Sequence, residues 1–345
     1  MIRPSPLVLL AAALVMAIVT ATPLLSQART DSTPYTPPRT PWGDPDLQGM
    51  WPGDVSAPLQ RPLDLGDRAT LTNEEFARRE AQAAAQAAVD AQEFVTSTGR
   101  GGRGAGVGPP DHRLERGRPI RQTSLIVDPP NARLPALTAQ AETRRKEARG
   151  GRGYTGEWRG EADSYADLNI YYRCITRGLL GSIIPVIYGN GNEIIQAPGY
   201  VVLRHEMIHE ARVIPLDGRA HLGAAIRLYM GDSRGHWEGD TLVVETTNLT
   251  DKVAIGSNGA GYPGDPGYHT PGLRLVERFT RTADTTLEYR ATVEDPQTWT
   301  RPWTLQIPLA RNDDYQLFEY ACHEGNLAMR NILSGARAEE AGRSK

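Results

Sequence analysis

Thr285-Thr286-Leu287-Glu288-Tyr289-Arg290-Ala291-Thr292-Val293 decides the fold. Apolar side chains take every second place from Leu287 to Val293, and Glu288, Arg290 and Thr292 fill the places between. Successive side chains of a strand point to opposite faces. The stretch therefore predicts a strand with one dry and one wet side, the habit of antiparallel sheets. Outward from it, runs of β-branched and aromatic residues recur from about residue 165 onward. They predict strands at Glu193–Gln196, Tyr200–His209, Ala211–Ile214, Ile226–Met230, Thr241–Thr246, Leu273–Thr280, Trp303–Ile307 and Tyr315–Tyr320. Turn residues separate them: Gly189-Asn190-Gly191-Asn192, Asp217-Gly218, Gly239-Asp240 and Asp284. The expected fold class is mainly β, an antiparallel barrel or sandwich. A lipocalin-like up-and-down barrel is the first expectation, because closure removes sheet edges.

The chain before this β-rich body reads differently. Residues 29–65 are rich in Pro, Asp and Thr and predict an extended arm, pinned at the cluster Asp46-Leu47-Gln48-Gly49-Met50-Trp51. Thr72 and Glu75 form a capping box at the head of a helix over 72–95. A Gly/Arg-rich linker follows at 97–108, and a more polar helix is expected at 136–149. The expected organisation is a signal peptide at 1–28, an arm-and-helix region at 29–165, and a β-barrel domain at 166–345.

The signal-peptide expectation rests on Arg3, the apolar run Leu7 to Val19, the helix breaker Pro23, and small residues at Ser26 and Ala28. The apolar run falls short of the about 20 residues a membrane span needs. No later segment approaches that length, so no membrane span is expected after cleavage, and the expected location is periplasmic or secreted. Removing Arg3 from the 38 Lys+Arg leaves 37 against 41 Asp+Glu, a net charge of −4. That balance gives no reason to expect a nucleic-acid partner. The arginines of 97–160 alternate with acids and glycines, as a solvated linker does. The two cysteines, Cys174 and Cys322, are expected to pair in an oxidising compartment.

His205-Glu206-Met207-Ile208-His209 formally matches H-E-x-x-H. On a helix the two imidazoles would share a face and bind Zn²⁺, with Glu206 activating a metal-bound water. The neighbours argue for a strand instead: Pro198-Gly199-Tyr200-Val201-Val202-Leu203 before, Arg212-Val213-Ile214-Pro215 after. On a strand, residues 205 and 209 stand about 13 Å apart, too far to share one ion with bonds of about 2.1 Å. No metal or nucleotide cofactor is therefore expected, and a zinc metallopeptidase is the minority alternative. The strand reading instead points His205, Met207 and His209 to one face, where imidazoles serve as acids or bases.

Other polar clusters add to the candidate site. Asp217, Arg219 and His221 sit at a tight turn. Asp232, Arg234 and His236 lie in a charged, glycine-punctuated stretch that a plain turn also explains. Tyr320-Ala321-Cys322-His323-Glu324-Gly325-Asn326 sets Tyr and His beside the expected disulfide. No G-x-S-x-G elbow, P-loop or dinucleotide glycine pattern occurs.

Several of these runs together resemble a family of secreted bacterial proteins. They are Ile194-Ile195-Gln196-Ala197-Pro198-Gly199-Tyr200-Val201-Val202, Glu206-Met207-Ile208-His209, Ile214-Pro215-Leu216-Asp217-Gly218-Arg219, and Gly231-Asp232-Ser233-Arg234-Gly235. The run from Trp237 through Asn248 and the one from Tyr320 to Asn326 complete the set. The resemblance covers about 165–340 strongly and Asp46–Trp51 weakly. It implies a shared fold and a shared site and names no reaction. In that family's pattern the position of His205 is often Tyr, which moves the emphasis to Glu206 and His209.

The sequence thus predicts an exported enzyme, a lyase, hydrolase or isomerase, acting on a small organic or glycan substrate. His209, His323, Glu206, Tyr320 and His205 are the candidate catalytic residues. Arg219, Arg234, His221 and Asp232 are the candidates for binding substrate. A non-catalytic lipocalin-like carrier of a hydrophobic ligand is the other alternative.

Overall fold

The computed structural model describes residues 35–92, 114–150, 164–165, 168, 170–171, 173–186, 188–252 and 270–343. The expected signal peptide and the 97–108 linker lie outside the described residues. Thr36–Lys345 belong to one compact unit.

Two antiparallel sheets make up the body of that unit. The first has the order β1 (Gly49–Met50), β5 (Asn192–Ala197), β6 (Tyr200–His205), β7 (Ala211–Pro215). The second runs β4 (Ile126–Asp128), β12 (Trp303–Ala310), β11 (Thr286–Glu294), β10 (Arg274–Ala283), β9 (Thr241–Thr247), β8 (Asp232–Glu238). A short parallel pair, β2 (Val55–Ser56) with β3 (Arg118–Pro119), stands beside them. Each sheet is open at both ends of its strand order, and no closed barrel forms among the described residues. The first expectation, a lipocalin-like barrel, is corrected to two open sheets.

One core joins them. Leu287, Tyr289, Ala291 and Val293 of β11 all face inward and are fully buried, as their alternation predicts. They cluster with Phe279 of β10, Leu305 and Ile307 of β12, and Val201, Leu203 and Ile214 of the first sheet. Burying each such side chain contributes about 1.5–3 kcal/mol relative to exposure.

The N-terminal arm is fastened where the sequence places it. Trp51 is fully buried and its indole N–H donates to the Leu47 carbonyl at 2.8 Å. Gln196 of β5 takes the Leu47 amide at 2.7 Å and donates to the Pro45 carbonyl at 3.0 Å. Helix α1 (Asn73–Gln92) starts at the expected capping box: the Thr72 amide donates to Glu75 and the Glu75 amide to the Thr72 hydroxyl. Helix α2 covers Ala139–Gly150. A third helix, α3 (Leu327–Arg343), was not expected. Among the described residues no helix is long and apolar enough to cross a membrane.

Four local expectations change. The strand expected over Tyr200–His209 ends at His205, because Ile208 and His209 turn the chain with φ of 62° and 43°. The glycine-punctuated stretch at 232–238 is a full strand, β8, rather than a turn. Residues 226–230 form no strand and keep one isolated bridge, Leu228 to Leu249. Residues 315–320 form none either, and only Tyr320 bridges to Met207.

Candidate functional site

The HEMIH segment is the turn between β6 and β7. The His205 amide donates to the Glu210 carbonyl at 2.8 Å and the His209 amide to the Glu206 carbonyl at 3.0 Å, which closes the turn. It is neither a helix nor a continuous strand, so His205 and His209 share no face. His205 is 2% exposed, whereas His209 is exposed. The common face expected for His205, Met207 and His209 is corrected accordingly. The helical presentation that a zinc pair at this spacing uses is not formed. Among the described residues no three His, Cys, Asp or Glu gather as a metal site.

His205 closes β6 inside the protein. Its Nδ1 meets Asn192 Oδ1 at 2.6 Å, and Nε2 finds no hydrogen-bond partner among the described residues. Burial, and then the nearby positive charges of Arg212 and Arg177, push its pKa down to about 3. His205 is thus a buried imidazole held by Asn192, set apart from the exposed His209.

Glu206 is the reactive-looking residue of the turn. It is 9% exposed, and its Oε2 accepts the hydroxyl hydrogen of Tyr315. Burial raises its pKa, opposed by the Tyr315 bond, while the negative charge of Glu115 raises it further. A carboxyl that holds its proton more tightly than usual is the kind of group that serves proton transfer. The Tyr315 phenol is pushed above its ordinary range by burial and by Glu206.

The other wall of Glu206 is the turn Gly189-Asn190-Gly191-Asn192. A Cβ on Gly191 would lie 2.5 Å from Glu206 Oε2, 2.8 Å from Leu317 and 2.9 Å from the Tyr315 ring, so any larger residue would push these side chains aside. The Glu206 amide donates to the Gly191 carbonyl at 2.9 Å. Buried Arg177 donates to the carbonyls of Tyr188 at 2.8 Å and Gly189 at 3.1 Å, beneath the rings of Tyr171 and Tyr188.

The C-terminal segment crosses this turn. Three attachments hold it: the Tyr315–Glu206 bond, the Met207–Tyr320 bridge, and the disulfide Cys174–Cys322, which is present as the sequence predicts. The Asn326 amide adds a bond to Cys174 Sγ at 3.3 Å. As a result His209 and His323 meet edge-on with ring centroids 5.8 Å apart, and His209 Nδ1 lies 3.4 Å from the Tyr320 carbonyl. Tyr320, 38% exposed, stacks on Tyr188 at 6.1 Å, and the Tyr188 hydroxyl meets that of Tyr171 at 3.1 Å. His209, Tyr320 and His323 are thus exposed together, and Glu206 lies buried in the turn beside them.

The expected substrate-binding residues are elsewhere. Arg219 pairs with Asp217 and with the Tyr200 hydroxyl at 3.1 Å. Tyr200 opens β6 and His205 closes it, about 16 Å away along the strand. His221, Asp232 and Arg234 form a separate ladder on the second sheet. His221 Nδ1 meets Asp232 Oδ2 at 2.8 Å, Arg234 donates to Asp232 Oδ1 at 2.6 Å, and His221 Nε2 lies 3.4 Å from Glu245. Burial pushes the Asp232 carboxyl up, but the Leu222 amide, His221 and Arg234 together hold it below its ordinary value. Arg274 continues the ladder to Glu245 and Glu294. Among the described residues no hydrogen bond joins this ladder to Glu206, His209, Tyr320 or His323.

Sequence reasoning missed Glu115, Arg177, Tyr188 and Tyr315. The Gly-Asn-Gly-Asn turn was the signal within reach: two glycines so close imply a neighbour pressed against the backbone, and here that neighbour is Glu206. No family model, curated protein or solved structure matches the chain.

Proposed function

We propose that the protein is an exported acid–base enzyme, a lyase, hydrolase or isomerase, of the secreted bacterial family its motifs resemble. It acts without a nucleotide or metal cofactor on a small organic or glycan substrate. Glu206 transfers the proton, with Tyr315 as its hydrogen-bond partner, and His209 and His323 form a second proton-transfer pair. Tyr320 and Tyr188 offer a ring face beside them.

The observation that carries this reading is the Glu206–Tyr315 pair. A buried carboxyl with a raised pKa and a phenol partner is set against a glycine turn packed closely on it. Such perturbed groups concentrate at functional sites. The alternative reading is a non-catalytic carrier of a hydrophobic ligand.

The test is a screen of the mature protein against glycans, esters, and aromatic or terpenoid compounds, read by mass spectrometry. Glu206→Gln and His323→Ala are run in parallel on any substrate found. Turnover that both variants lose while staying folded supports the reading, and turnover that survives both sinks it.

A further inference from the structure

We infer that Glu115 is a positioning residue for Glu206: its carboxylate holds the Gly189–Asn190 amides, seats that turn against the Glu206 carboxyl, and places a second negative charge beside it. Glu115 Oε1 takes the Gly189 amide at 2.8 Å and Oε2 takes the Asn190 amide at 3.0 Å. Two backbone N–H groups on one carboxylate fix the turn's position and orientation together. Gly191, the next residue, is the one where a Cβ would collide with Glu206 Oε2. Asn192 follows and fixes His205 through Oδ1. Glu115 lies just ahead of β3, so a residue from the N-terminal half of the chain sets the geometry of a site otherwise built from residues 171–326.

The charged and titratable groups facing Glu206 can be named from every side. Tyr315 comes from the C-terminal segment, Arg177 from the loop after the disulfide, and Glu115 from the segment before β3. Arg177 favours the ionised carboxylate. Among the described residues Glu115 is the neighbouring carboxylate that opposes it, because like charges in a low-dielectric site resist joint ionisation. Removing that charge releases Glu206 to ionise at lower pH.

This inference rests on the proposed proton-transfer role of Glu206, and its test uses no turnover. The Glu206 carboxyl resonance is followed by carbon-13 NMR through a pH titration of the mature protein, and is assigned by its loss in Glu206→Gln. Glu115→Gln is expected to move the Glu206 midpoint to lower pH and to speed hydrogen exchange at Gly189 and Asn190. Glu115→Asp, which keeps the charge, is expected to hold the midpoint nearer the wild-type value. A midpoint unmoved by Glu115→Gln overturns the inference. So does fast exchange of the Gly189 and Asn190 amides in the wild-type protein, a measurement that needs no variant to fold. The activity of Glu206→Gln judges the catalytic reading on its own, so the two failures are distinguishable.

Discussion

Arg212 of β7 and Glu277 of β10 meet in a buried two-bond ion pair that joins the two sheets. Glu277 has no exposed surface and also accepts the Tyr289 hydroxyl hydrogen at 2.9 Å. Removing one partner strands the other charge in the core, a change that costs about 3–5 kcal/mol. Replacing both with apolar residues of similar size strands nothing. Glu277→Ala should therefore lower the urea-unfolding free energy by about 3–5 kcal/mol, and the double variant Arg212→Met/Glu277→Leu should lower it by much less. Equal losses in the two proteins would show that the pair does not act as a unit.

The disulfide links the Tyr171–Arg177 loop to the segment that carries Tyr320 and His323, over a sequence separation of 148 residues. A loop of that size gives up to about 5 kcal/mol through the restricted unfolded chain. The locally lost order matters more for the site, because Cys322 adjoins His323. Cys174→Ser/Cys322→Ser should lower the melting temperature and speed hydrogen exchange across 315–326 ahead of the β11 and β12 core. Calorimetry and exchange mass spectrometry read both. Unchanged exchange over 315–326 would mean that the contacts of Glu206, Met207, His209 and Tyr188 hold the segment without the disulfide.

The body was legible in the sequence where one face is dry and the other wet. β9, β10, β11 and β12 fall within a few residues of their expected bounds, because strand alternation is local information. Two kinds of feature were not legible. One is closure: whether antiparallel strands curl into a barrel or divide into two sheets depends on which edges meet, and no single strand states that. The other is inward charge. Glu277 and Arg281 sit on the dry face of β10, and their partners, Arg212 and the Asp46 carbonyl, are distant in sequence. β8 was hidden for a related reason. Its Gly235 reads as a turn, yet it is the place where Leu216 and Ile214 press on the backbone, 2.6 and 2.9 Å from where a Cβ would stand. Within the site, the HEMIH and YACHEGN segments were visible as clusters of chemistry, whereas Glu115 stands in no motif and only the fold brings it in.

His205 gives the protein an acid-sensitive point. Its folded pKa of about 3 lies below the ordinary imidazole value of 6.5. Between those values the unfolded chain binds a proton that the folded chain refuses, so stability rises with pH across that window. The contribution is present above pH 6.5 and is lost as pH falls from there toward 3. His205→Gln removes the group. The stability difference between wild type and this variant, from urea unfolding at about pH 7.5, 6, 5 and 4, should shift steadily against the wild type as the solution becomes more acid. A difference constant with pH would mean that His205 charges as easily inside the fold as outside it.

Glu206 carries the opposite sign. Its folded pKa is raised by burial and by Glu115, so the folded state binds its proton more tightly than the unfolded chain does. Stability from this group is present at low pH and is lost as pH rises through the raised value. Above that value the ionised carboxylate costs stability, a trade that the proposed proton-transfer role would explain. Glu206→Gln keeps the shape and an acceptor for the Tyr315 hydroxyl while removing the charge. It should melt no lower than wild type at about pH 8, lose that advantage at about pH 5, and lose turnover at both. Gly191→Ala should also lose turnover, since its methyl group displaces Glu206 Oε2 and the Tyr315 ring. Thermal scans at the two pH values, beside activity on the substrate found by the screen, test the set. A Glu206→Gln protein that melts well below wild type in the alkaline scan would place Glu206 among the residues that hold the fold together, and the proton-transfer role would have to move to His209 and His323.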